Sequence, residues 1–258
     1  VALTDEERAR IQANAAQVRA DREAKRLDLA EDAAKTAYGI WANLPAPATP
    51  ANCPYLAGKG VGGHGVKVNA EGQMVVPCRD ADGKLWNVQF VDGDGKHFLK
   101  DSKKAGTMHV IEPSGAGTLD SLARYRGTVV IVEGYATGSR IYEAVNRPVV
   151  VAFDAGNLKA VAEAVQAKYP DRPILIAADN DHARVNEKGE KENIGIIKAE
   201  EAAQAVGGHF IAPKFMAAEM AKGLTDFDDL GQARGNGAVR GAVDSALARI
   251  NQPERSIA

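Results

Sequence analysis

From Thr128 onward, strand-length apolar runs alternate with helix-forming stretches, and this alternation limits the possible folds more than any other feature of the chain. The runs 128–132, 148–153 and 173–178, with a short one at 209–212, are separated by helical patterns over 137–145, 158–169 and 195–206, and further helices are expected within 226–250. Continuous apolar strands joined by helices pack as a mostly parallel sheet covered on both faces, an α/β architecture. In such a sheet, ligands bind where loops converge at the carboxyl ends of the strands. Those ends carry acids here: Glu133 follows the first strand, Asp154 the second, and Asp179 with Asp181 the third.

Carboxylates gathered on one rim oppose one another's ionisation. A hard divalent cation removes the conflict, and Mg²⁺ or Mn²⁺ takes carboxylate oxygens while bridging to phosphate, so phosphoryl or nucleotidyl transfer is the chemistry such a rim suits. Just past a strand end, alternate side chains share a side, so Asp179 and Asp181 can face one cavity while Asn180 turns away. Residues 133–138 read EGYATG directly after the run VVIV. Gly134 allows close backbone approach, and the helix opening at Thr137 or Ser139 offers free amides to a phosphate.

Upstream the pattern differs. Thr4 with Glu7 forms a capping-box signal for a helix running to about Leu44, whose narrow apolar stripe suits a packing handle or interaction arm. The proline-rich stretch 44–54 ends it. Between 52 and 112, short alternating runs at 73–79, 84–91, 96–99 and 108–111 are punctuated by Asp82-Gly83 and Asp94-Gly95, the pattern of an antiparallel meander. Three regions follow: 1–51 as helical arm and linker, 52–122 as a small antiparallel β subdomain, and 123–258 as the α/β domain with its C-terminal helices.

Cys53 and Cys78 are the two cysteines, and without a CxxC pair or a clear fourth ligand they do not make a zinc site with His64. No apolar run approaches the ~20 residues that span a bilayer, and 1–10 lacks a signal-peptide core, so a cytoplasmic protein with no membrane partner is expected. Val1 in place of an initiator Met suggests a piece of a longer protein. The formal net charge of −2 excludes a protein that coats nucleic acid through overall basicity, leaving local patches for any such contact.

A strand-borne Glu-Gly, a later strand ending in Asp-x-Asp and a still later acidic turn, here TDFDDL at 225–230, together resemble the Toprim pattern of bacterial primases, topoisomerases and some nucleases. EGYATG is similar to the signature of primases from conjugative plasmids and satellite phages. PYLAGKGV at 54–61, the run from Met74 to Leu99 and GTMHVIE at 106–112 are similar to the segment preceding Toprim in such enzymes. The matching parts cover roughly 52–230. One departure stands out: where many primases follow the Asp-x-Asp closely with a small residue and Gly, residues 182–193 intervene here before Ile194-Gly195, a polar insertion read as a surface loop.

The resemblance implies a primase fragment that makes short primers on a single-stranded DNA template from nucleoside triphosphates, beside a helicase or other replication or conjugation proteins. It also implies that Glu133, Asp179 and Asp181 are catalytic and hold Mg²⁺ or Mn²⁺, with Glu133 sharing in proton transfer. Asp226 and Asp228 are further metal candidates, with helix capping as the competing role. Asp154 and Asn157, in FDAGN, belong to the rim either as ligand neighbours or as a capping turn. Lys96, His97, Lys100, Lys103 and Lys104 form a basic run that can hold template or triphosphate, or stand as a solvated loop. Arg79, Lys84, Gly134 and Arg140 complete the nucleic-acid or nucleotide candidates, Arg140 also being placed to support the acids. Tyr135 can stack on a base or be buried; His64 is read as a turn residue, and Trp86 and Phe90 as core. A Toprim nuclease and a non-catalytic nucleic-acid-binding module are the alternatives.

Overall fold

The computed structural model describes residues 4–185 and 188–250. Helix α1 (Asp5–Asn43) leads into β1 (Ala46–Pro47), α2 (Pro54–Lys59), β2 (Lys67–Val68), β3 (Met74–Arg79), β4 (Leu85–Val91) and β5 (Lys96–Phe98). After β6 (His109–Ile111) come β7 (Val129–Val132), α3 (Tyr135–Val145), β8 (Val149–Val151), α4 (Leu158–Lys168), β9 (Ile174–Ala177), α5 (Ile194–Ala205) and β10 (His209–Ile211). Helices α6 (Ala217–Met220), α7 (Phe227–Arg234) and α8 (Asn236–Ile250) close the described chain.

Two five-stranded sheets result. The first, ordered β1-β2-β3-β4-β5, is antiparallel throughout; the second is ordered β10-β9-β7-β8-β6, with only β6 antiparallel. β6 corrects the sequence expectation, which placed its run in the meander. Alternation alone cannot say which sheet a short buried strand joins, and His109–Ile111 pairs with β8 rather than with the hairpins. A bridge between Arg79 and Met108 still ties the sheets together.

The pleat divides the cores. Val130 and Val132 of β7, with Leu175 and Ala177 of β9, face α3, α7, α8 and one side of the first sheet, where Met74, Val76 and Cys78 meet them. Val129, Ile131, Ile174 and Ile176 point oppositely, onto α4 and α5. Burial of each such side chain contributes about 1.5–3 kcal/mol. On the outer face of the first sheet, Val75, Leu85 and Val88 receive Ala37, and Trp86 receives Ala30 and Ala34, so only the C-terminal part of α1 packs. The capping box expected at Thr4 and Glu7 is present. Among the described residues, no helix is long and apolar enough to cross a membrane.

The inserted segment 182–193 includes residues 186 and 187, which lie outside the described residues. Its ends are pinned: Glu192 N–H donates to Arg184 O at 3.1 Å, and Val185 and Lys191 form a bridge.

Candidate active site

β7 lies between β9 and β8, so Glu133, one residue past its end, is flanked by Asp179 beyond β9 and by Asp154 beyond β8. Glu133, Gly134, Asp154, Asp179, Asp226 and Lys96 line one cleft of about 370 Å³, shared with Tyr55, Lys59 and the hairpin tip at 92–95. Glu133 Oε1 and Asp179 Oδ1 are buried and have no hydrogen-bond partner. Burial pushes both carboxyls well above the carboxylate range. For Glu133 the next cause is the charge of Asp181, then that of Asp154; for Asp179 it is Glu133, then Asp226 and Asp181. Lys96 opposes both shifts. Buried acids with unsatisfied oxygens and mutual repulsion fit a divalent cation, which would supply the missing partner and the missing charge.

Asp181 is not among the residues lining the cleft, and among the described residues the three acids whose oxygens come within 4.8 Å of one another are Asp226, Asp228 and Asp229 rather than Glu133, Asp179 and Asp181. Local hydrogen bonding sets where the Asp-x-Asp lies. Asn180, between the two aspartates, does turn away: its N–H donates to Thr225 O at 2.7 Å and its Nδ2 to Pro213 O at 3.1 Å. The acidic turn is thereby held beside the Asp-x-Asp. Asn193 Oδ1 accepts the N–H of Asp181 at 3.0 Å, and Gly195 N–H donates to Asp181 Oδ2 at 3.2 Å. A Cβ on Gly195 would stand 2.3 Å from Asp179 O. The insertion therefore loops out and returns the glycine to the rim.

Helix α3 starts at Tyr135, two residues before the earlier of the expected positions, because Gly134 is already its N-cap. No side chain caps this end, leaving first-turn amides near Glu133. Gly138 lets α3 approach the sheet, since a Cβ there would lie 3.0 Å from Val151 and 3.1 Å from Val132. Tyr135 is buried rather than presented to a base: its hydroxyl accepts the N–H of His64 at 2.6 Å and lies 3.2 Å from Gly62 O as donor. His64 does sit in the turn this makes, with its Nε2 3.0 Å from Glu143. Phe153, before Asp154, has a φ of 75°, a strained conformation of the kind that collects at functional rims.

Several candidates sit elsewhere than expected. Arg140 is buried, with Nη2 3.0 Å and Nε 3.1 Å from Asp228 Oδ1 and Nη1 donating to Asn236 at 3.1 Å. It supports an acid and is withdrawn from nucleic acid. Asp228 is fully buried, and its other oxygen takes Lys59 Nζ at 3.1 Å and Gln232 Nε2 at 2.6 Å. Asp226, Asp228 and Asp229 bring oxygens within 4.8 Å of one another, and Asp228 is the one of the three whose oxygens are already paired with Arg140, Lys59 and Gln232. Asp226 caps α7, accepting Asp229 N–H at 2.8 Å, while lining the cleft. Asn157 is buried as a structural clamp on Gly106, Thr107 and Ala152. Asp154 pairs with Lys104. Lys84 reaches α1, bonding Glu31 at 2.6 Å and covering the Trp86 ring at 3.7 Å. Arg79 is half-buried and donates to Gly83 O. Both lie outside the cleft, because the meander turns that edge toward α1 and the β3–β4 turn. Trp86 is buried and Phe90 partly so. Lys100 is exposed, and Lys103 lies over Trp86 at 4.5 Å. Tyr55 and Lys59 were missed; their signal was the PYLAGKG string, which carried a resemblance but no assigned role.

Residues 128–237 match the family model of the Toprim domain. The chain is also 44% identical over 221 residues to a DNA primase TraC of Escherichia coli, an alignment covering 84% of this chain and 15% of that protein. A second DNA primase TraC of Escherichia coli is 44% identical over 223 residues, 85% of this chain and 20% of the relative. The chain thus spans a fifth or less of these relatives' length. Among solved structures, the catalytic domain of a DnaG primase bound to single-stranded DNA superposes with a TM-score of 0.52 at 13% identity, covering 86% of this chain and 80% of that one. The mixed α/β fold is that of a Toprim-type primase core, and the resemblance read from the sequence stands.

Proposed function

We propose that this chain is the catalytic part of a DNA primase, joining nucleoside triphosphates into short primers on single-stranded DNA by metal-dependent nucleotidyl transfer. The observation that carries the reading is the pair of buried, unpartnered carboxylate oxygens on Glu133 and Asp179 at the floor of a cleft that also holds Lys96. Sequence identity to proteins named DNA primase supports synthesis over cleavage. The EGYATG resemblance points to plasmid or mobile-element replication as the setting.

Glu133, Asp179 and Asp181 would hold Mg²⁺ or Mn²⁺, with Asp226 beside them. When bound, the metal would neutralise these acids and polarise the reacting phosphate. Lys96, exposed at the cleft with its Nζ near Gly134, receives the triphosphate. The uncapped first turn of α3 offers amides to the same charge. Glu133, buried at the strand end beside the metal-holding acids, would share in taking the proton of the attacking hydroxyl. Because these contacts address phosphate and sugar, the site reads little base sequence.

The test is incubation with single-stranded DNA, labelled nucleotides and Mg²⁺ or Mn²⁺. Short new oligonucleotides are expected, and Glu133→Gln and Asp179→Asn abolish them. Template cleavage without synthesis would instead mark a nuclease. Neither activity, together with no metal-induced rise in melting temperature, would remove both catalytic readings.

A further inference from the structure

Helix α1 carries its charges asymmetrically. At 100° per residue, Arg8, Arg19, Arg22 and Arg26 fall within a narrow sector that also contains the buried Ala33 and two of the residues that pack the far end of α1 onto the first sheet, Ala30 and Ala37, with the third, Ala34, lying just beyond its edge. No acid shares it. Asp5 and Glu23 stand at its border, where Glu23 pairs with Arg26 at 2.7 Å and Asp5 with Arg8 at 4.0 Å. Glu6, Glu7, Asp21, Asp28, Glu31 and Asp32 lie on the other faces. The arginine face therefore continues, past the edge of the sheet, the direction in which α1 faces the body of the protein.

The stripe is not isolated. Arg26 and Leu27 share a groove with Lys103 and Lys104, three cations beside the two acids Glu23 and Asp101, and Lys104 is the side chain paired with Asp154 on the catalytic rim. A chain of cations runs from the rim through Lys104 and Lys103 to Arg26, Arg22, Arg19 and Arg8, the helical part being about 27 Å long at ~1.5 Å per residue. The apolar content of the N-terminal part of α1 is scattered, Ile11, Val18 and Leu27 being exposed singly, so charge and not burial is what this face offers a partner.

We propose that the arginine face of α1 is a single-stranded nucleic-acid track that extends the template path away from the catalytic rim. Guanidinium groups on a rigid rod meet successive phosphates without reading sequence. The proposal rests on the primase reading for its ligand. Continuity with the rim favours nucleic acid over an acidic protein.

The test measures binding of fluorescent single-stranded DNA to the 258-residue chain in chelator, using one oligonucleotide at the short end and one beyond the long end of the ~4–16 nucleotides that a compact single-strand-binding fold covers. An R8Q/R19Q/R22Q/R26Q variant is expected to bind the long oligonucleotide at least tenfold more weakly. Its salt dependence should be shallower, since each lost phosphate contact removes about 0.7 from the logarithmic slope. Its affinity for the short one should change little. R10Q/K25Q, altered on other faces of the same helix, should bind as the unaltered chain does. Equal binding of the long oligonucleotide by the four-arginine variant, with helix content retained by circular dichroism, overturns the track. So does loss of polyglutamate binding with DNA binding unchanged, which would make the partner an acidic protein. Primer synthesis and this affinity are separate readouts: a track without synthesis removes the primase reading, and synthesis without the track removes only this inference.

Discussion

Substituting Asp228 by Ala separates a structural acid from a catalytic one. Its side chain is fully buried, and its oxygens take Arg140 at 3.0 and 3.1 Å, Lys59 at 3.1 Å and Gln232 at 2.6 Å. Removing it leaves the buried Arg140 guanidinium, among the described residues, with Asn236 and the carbonyl of Lys59 as partners. Breaking one side of a buried ion pair costs about 3–5 kcal/mol, and for a chain of this size each kcal/mol lowers the melting temperature by about 2–4 °C. The expected loss is therefore about 6–20 °C, measured by thermal denaturation in chelator. Asp226→Ala, removing a helix cap on a residue facing the cleft, should cost about 1 kcal/mol. If Asp228→Asn melted with the unaltered protein in chelator but lost the rise produced by Mg²⁺, Asp228 would be a metal ligand and not a structural acid.

Two further outcomes follow from the rim. The Glu133 and Asp179 carboxyls are raised by burial first and by neighbouring acids second, so the folded state binds more protons than the unfolded chain above the ordinary carboxylate range, and the metal-free protein should lose stability as pH rises through neutrality; Asp179→Asn should flatten that dependence and raise the melting temperature at neutral pH in chelator, and a lower one would refute the repulsion. Gly195→Ala, whose Cβ meets Asp179 O at 2.3 Å, should displace the rim and reduce primer synthesis by at least tenfold while costing about 1–3 kcal/mol of stability through overpacking; unchanged synthesis would show that Asp179 does not depend on this contact.

The α/β class was legible because β7 and β9 are buried on both faces and read as unbroken apolar runs, and because helices follow at regular spacing. The meander was legible through Asp82-Gly83 and Asp94-Gly95. The sheet membership of β6 was not, since Val110 and Ile111 would be buried equally in either sheet. Nor could sequence rank the acids beyond their order along the chain. Glu133, Asp179 and Asp228 are all acids placed in or near motif positions, and all three are largely or fully buried. What distinguishes them is their partners: Asp228 meets Arg140 and Gln232 from α3 and α7 and Lys59 from the end of α2, whereas Glu133 and Asp179 meet chiefly one another and the nearby rim acids.

That difference separates two kinds of acid: Asp228 is already paired with protein cations, and Glu133 and Asp179 face other acids. A buried acid facing other acids is unstable until a cation arrives. Arg140 shows the same logic from the cationic side. The sequence offered it two roles, contact with nucleic acid and support of the acids, and the close packing of α3 on α7, with Gly231 lying against the Arg140 side chain, turns the guanidinium inward onto the acid Asp228. Among the described residues the lysines lining the cleft are Lys59, paired with Asp228, and Lys96, whose charge acts on Glu133 and Asp179. The proposal that a triphosphate meets Lys96 rests on this contrast, since Lys59 is fixed on the buried Asp228.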